Sequence, residues 1–160
     1  MPVIREIRES DNRAMASILR QTLVEFNVNL DGTAYYDSST DDLFSFFKHP
    51  ASRYFIAELD GRVVGGGGIY PTKHLPEGTC ELVKMYLLPD VRNIGLGSKL
   101  IQQCLQFAKT AGYKQVYIET MPELQKAVSL YSKFGFEHLD GPMGITEHYG
   151  CSIWMLKILD

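Results

Sequence analysis

Apolar Val3, Ile4 and Ile7 alternate, imperfectly, with charged Arg5, Glu6 and Arg8, which predicts a short first strand over 3–8. Met15, Ile18, Leu19, Leu23 and Phe26 then recur at helical spacing, predicting a helix to about residue 26 that Asp11 can cap. Residues 27–40, rich in Asn, Asp, Gly, Ser and Thr, read as a loop. Asp41 opens a short second helix carrying Leu43, Phe44 and Phe47 and ended by Pro50. Arg53–Leu59 and Arg62–Tyr70 read as strands joined by Asp60-Gly61, a strong hairpin signal. Beyond them the pattern predicts a strand over 81–88 and a helix over 98–111 closed by Gly112. Next come a strand over Gln115–Thr120, a helix over 123–134 closed by Gly135, and strands over 136–139 and 152–158. Strands alternating with helices beside a plain hairpin imply an α/β protein: a mixed sheet with helices on its faces.

One strand carries an unusual run, Gly65-Gly66-Gly67-Gly68. Glycine weakens a strand, so the run marks either a bulge and tight sheet packing or the close approach of a ligand to bare backbone.

At 160 residues the chain has the length of one domain, with no linker or repeat dividing residues 1–160. Its net charge of −3 lacks the basic excess that nonspecific binding of nucleic acid or an anionic membrane requires. No apolar stretch approaches the roughly 20 residues of a spanning helix. The N-terminus is charged where a signal peptide would have its apolar core. Cys80, Cys104 and Cys151 are odd in number and lack CxxC spacing, so neither a disulfide framework nor a zinc site is expected, and a cytoplasmic location fits.

The chemistry concentrates in Arg92-Asn93-Ile94-Gly95-Leu96-Gly97-Ser98, between a predicted strand and a predicted helix. Glycines at 95 and 97 let the backbone turn tightly and leave N–H groups uncovered at the helix start, where the helix dipole favours an anion. Arg92 adds a positive charge, and the set suits a pyrophosphate. The Walker pattern is absent, and GxGxxG fails because position 100 is Leu.

Arg92-x-x-Gly95-x-Gly97, after a strand ending at Pro89 and before an amphipathic helix, resembles the acetyl-CoA motif of the GNAT N-acetyltransferase superfamily. Ala127-Val128-Ser129-Leu130-Tyr131-Ser132-Lys133-Phe134-Gly135-Phe136 resembles the same family's Ala-x-x-Leu-Tyr-x-x-x-Gly-Phe helix. The two motifs cover the second half of the chain; residues 1–75 match only in coarse order. The resemblance implies a mixed, mostly antiparallel sheet of about six to seven strands with helices on both faces. It further implies that the 81–88 and Gln115–Thr120 strands splay apart. Backbone at Met85, Tyr86 and Leu87 would then bond the pantetheine arm, while Arg92 to Gly97 and Ser98 hold the pyrophosphate. Many family members carry Asn three residues before the motif alanine, where this chain has Leu124.

The implied reaction is acetyl transfer from acetyl-CoA to a primary amine by direct attack in a ternary complex, without a metal. It needs a base, an oxyanion donor and an acid. Glu81 is the base candidate: alternation places it on one face with Val83, Met85 and Leu87, and desolvation makes a carboxylate a better proton acceptor. Tyr131, on an apolar helical stripe and at the family's tyrosine position, is the acid candidate and a CoA contact. A backbone N–H near Met85 is the oxyanion donor. Cys151 opens an apolar strand and reads as an inert core thiol. Asp31, Tyr35, Tyr36, His74, His148 and Tyr149 are candidates for the acceptor pocket, and a homodimer through the last strands is an expected option. The rival readings are an acyl-CoA-binding sensor or structural module without transfer activity, and a nucleotide-binding protein reusing the phosphate loop.

Overall fold

The computed structural model describes residues 1–144 and 149–160. The elements are β1 (Pro2–Glu6), α1 (Asn12–Glu25), α2 (Leu43–Phe46), β2 (Arg53–Leu59), β3 (Arg62–Tyr70), β4 (Thr79–Leu87), α3 (Leu96–Thr110), β5 (Gln115–Thr120), α4 (Gln125–Lys133), β6 (Glu137–Leu139) and β7 (Ile153–Ile158). The strands form one sheet in the order β1-β2-β3-β4-β5-β7-β6. Every neighbouring pair is antiparallel except β4 and β5. This is the mixed α/β sheet that the alternation and the motifs predict. No helix among the described residues is long and apolar enough to cross a membrane.

Helices cover both faces. Met15 and Ile18 of α1 and Leu43 of α2 pack with Tyr54, Ile56 and Val83 on one face. Leu96, Leu100, Ile101 and Cys104 of α3 and Tyr131 of α4 pack with Phe55, Ala57, Leu82 and Ile118 on the other. β2 supplies both cores because its side chains alternate between faces. The Asp60-Gly61 turn has φ of 53° and 80°, the positive pair a two-residue hairpin needs.

Three local expectations need correction. Asp11 precedes α1 but does not cap it with its side chain; its carboxylate instead takes two hydrogen bonds from Arg5, 2.8 and 2.9 Å, and one from the Arg8 N–H. The stretch over 27–40 is not loop throughout, since 3-10 turns form at Ala34–Tyr36 and Ser38–Asp42. Finally, α3 begins at Leu96, inside the glycine segment, with Gly95 at φ 86° as its N-cap.

The glycine run resolves to packing. A Cβ on Gly66 or Gly68 would lie 2.7 and 2.6 Å from the Tyr54 ring, while Gly65 and Gly67 lie against Leu87 and Met85. The Tyr54 ring fills the space those absent side chains leave, and its hydroxyl donates to the Lys84 carbonyl at 2.6 Å. Opposite the run, the β3–β4 register shifts by one residue, from Gly68↔Val83 to Gly66↔Tyr86. Lys84 is the extra residue, at φ 52°.

Candidate active site

The bulge at Lys84 changes which way β4 points its side chains. Strict alternation would put Glu81, Val83, Met85 and Leu87 on one face. Val83 instead joins the α1 core, whereas Met85 and Leu87 pack against the α3 core. The extra residue inverts the alternation, so Glu81 and Val83 face α1 while Met85 and Leu87 face α3.

β4 and β5 pair only at Thr79↔Gln115, Cys80↔Val116 and Glu81↔Tyr117. β4 then continues to Leu87 and β5 to Thr120 with no ladder between them, so the strands splay. A cavity of about 550 Å³ occupies the gap. Met85, Tyr86 and Leu87 line one wall, and Arg92, Asn93, Gly95, Gly97 and Ser98 line the end where α3 begins. Ile94 is 55% exposed and Leu96 is buried in the core, so neither side chain faces the cavity. Gly95 has open space where a Cβ would stand, and a Cβ on Gly97 would come within 3.0 Å of Leu130. The loop backbone is therefore bare towards the cavity, at the N-terminus of the 15-residue helix α3. Those features fit a pyrophosphate, and the unladdered segment of β4 fits an extended amide-bearing arm laid beside it.

Glu81 sits where the strands part. It is only 2% exposed, and its Oε1 accepts a hydrogen bond from the Thr72 hydroxyl at 2.7 Å. Tyr131 lines the same cavity from α4 and is 6% exposed. Its phenol is protonated at neutral pH as in any tyrosine, and burial pushes it further above the ordinary tyrosine range. The cavity joins the α1-facing carboxylate to the α3-side phenol through the gap in the sheet.

Some contributors escape any local reading of the sequence. Lys84 lines the cavity with its side chain 3% exposed; its ammonium donates to Asp37 at 3.0 Å and to the Thr40 hydroxyl at 3.4 Å. Burial lowers its pKa, against the opposing pull of Asp37 and Glu81. Glu119, two residues past the last β4–β5 pair, lines the cavity and accepts from the Tyr117 hydroxyl at 2.7 Å. Strand alternation from Glu81's partner Tyr117 is the signal that could have found Glu119. Cys151 also lines the cavity, but burial pushes its thiol up to about 12, which leaves it a poor nucleophile. Leu124, at the position where many GNAT members carry Asn, presents an apolar side chain there.

The acceptor candidates fare differently. Asp31, Tyr35, Tyr36, His74 and Tyr149 do not line the cavity. Tyr149 is 75% exposed and its ring lies over Gly32, while Tyr35 stacks under Arg20. His148 lies outside the described residues.

The model of the Acetyltransferase (GNAT) family matches residues 14–136, and the chain belongs to that family. It is 39% identical over 159 residues to YjgM of Escherichia coli K12, an uncharacterized N-acetyltransferase, covering 99% of this chain and 95% of that one. The fold matches a GNAT-family acetyltransferase of Staphylococcus aureus Mu50 with a TM-score of 0.88 at 19% identity, over 100% of both chains. It also matches YncA of Salmonella typhimurium, solved with its cofactor acetyl-CoA, with a TM-score of 0.77 at 18% identity, over 100% of this chain and 95% of that one.

Proposed function

We propose that this GNAT-family chain transfers an acetyl group from acetyl-CoA to a primary amine by direct attack in a ternary complex. The observation that carries the reading is the cavity at the β4–β5 splay, with a bare phosphate loop at one end and a buried carboxylate at its apex. An acetyl-CoA-bound neighbour of the same fold supports the choice of co-substrate.

Acetyl-CoA supplies an activated acyl group whose carbon forms the new bond to nitrogen as its bond to sulfur breaks. The α3 N-terminus and the N–H groups around Gly95 and Gly97 bind the diphosphate. The free edge of β4 from Met85 to Leu87 bonds the pantetheine amides, and the Met85 N–H is the donor for the carbonyl oxygen as charge develops on it. Glu81 takes a proton from the acceptor's ammonium, with Thr72 orienting its carboxylate, and the freed amine then attacks the thioester carbon; the second nitrogen proton leaves to solvent as the amide forms. Tyr131, protonated at neutral pH as any tyrosine is, gives its proton to the departing sulfur and regains one from solvent.

Calorimetric titration with CoA, acetyl-CoA, ATP and NAD, followed by thiol release from acetyl-CoA across an amine panel, tests the reading. Preferential binding of the CoA species with amine-dependent thiol release is expected; no response to either CoA species defeats it. Glu81→Gln should lower kcat by about 10²-fold at unchanged CoA affinity. Tyr131→Phe should also lower kcat while sparing CoA binding, and a wild-type kcat would remove the acid role.

A further inference from the structure

Arg92 is engaged before any ligand arrives. Its Nε and Nη2 donate to the Leu87 carbonyl at 3.0 and 2.9 Å. Nη1 and Nη2 donate to the two carboxylate oxygens of Glu25 at 2.8 and 2.9 Å. The guanidinium carbon stands 5.4 Å from the centre of the Phe26 ring. A guanidinium has five N–H donors, and these contacts use four. What remains is too little for a bidentate grip on a phosphate.

The three anchors belong to different parts of the cleft. Leu87 ends β4, Arg92 begins the phosphate loop, and Glu25 is the last residue of α1. Thr22 and Phe26, on the same turn and just beyond it, line the cavity. Glutamate at a helix C-terminus opposes the helix dipole, so helix formation gives no reason for Glu25 at that place, whereas the bidentate pair does.

We infer that Glu25 is a positioning residue: through Arg92 it pins the end of α1 to the end of β4 and holds the phosphate loop in register with the pantetheine edge. The inference rests on the proposed CoA site. The diphosphate is then left to backbone N–H groups, and Arg92 sets geometry rather than neutralising charge. A lysine at 92 could not hold a carbonyl and a bidentate carboxylate together.

The test is calorimetric titration with CoA, and competition titration with pantetheine, which has no phosphate. Glu25→Gln should weaken both ligands by the same factor, about threefold, and Arg92→Ala both by about tenfold. Arg92→Lys should not rescue, and the double variant Glu25→Gln/Arg92→Ala should bind no more weakly than Arg92→Ala alone. Tighter CoA binding by Glu25→Gln would overturn the inference, because the carboxylate would then be competing with a ligand phosphate. Unchanged binding in that variant, or an Arg92→Ala loss confined to CoA, would overturn it as well. A wild-type protein that binds no CoA defeats the proposed function itself, whereas a binding wild type with the wrong variant pattern defeats only the role of Glu25.

Discussion

Lys84–Asp37 and Arg92–Glu25 both fasten a segment from the first half of the chain onto β4, yet one lies inside the protein and the other near its surface. The Lys84 side chain is 3% exposed and Asp37 20%, against 21% for Arg92 and 37% for Glu25. A buried ammonium has given up most of its water, so the pair is costly to break even where it contributes little when intact. The outer pair keeps water nearby, and its loss scarcely disturbs the fold. Similar chemistry therefore does two jobs: the inner clasp governs whether the 3-10 segment over 34–42 stays docked, and the outer one governs how accurately the cleft is aligned.

The sharpest way to break this comparison is Asp37→Ala, which strands the Lys84 ammonium. A loss of about 3–5 kcal/mol in urea unfolding is expected, while Lys84→Met, which removes the charge but keeps an apolar stem, should be close to neutral. A small effect from Asp37→Ala would mean the ammonium is not truly desolvated. Gly66→Ala attacks the same region through packing. Its Cβ would meet the Tyr54 ring at 2.7 Å and the Phe55 carbonyl at 2.8 Å, so a loss of about 1–3 kcal/mol is expected in the same assay. Glu25→Gln should be the mildest, below about 1 kcal/mol in stability, even as it shifts ligand affinity. A larger stability loss there would erase the distinction between the two clasps.

The tight turn at Gly95 and the helix behind it were legible in the sequence because their geometry is local: Gly95 at φ 86° and the helix that follows answer to neighbouring residues alone. The hairpin at Asp60-Gly61 was legible for the same reason. Glu25 and Arg92 stand 67 residues apart, and nothing near either residue announces the other. The bulge failed to register because a lysine holds the left-handed backbone that glycine or asparagine would ordinarily mark. Its one trace was the glycine run on the neighbouring strand, which admitted two explanations until the position of Tyr54 decided between them. Tyr149 and Asp31, polar and aromatic residues on loops, are not among the residues that line this cavity.

The single extra residue at Lys84 makes β4 a strand of two parities. Odd-numbered positions before it face the α1 core, and odd-numbered positions after it face the α3 core. A substitution at Val83 therefore alters the α1 side of the cavity without touching the wall that Met85 and Leu87 form. Deleting Lys84 would restore strict alternation and turn Glu81 to the face of Met85 and Leu87.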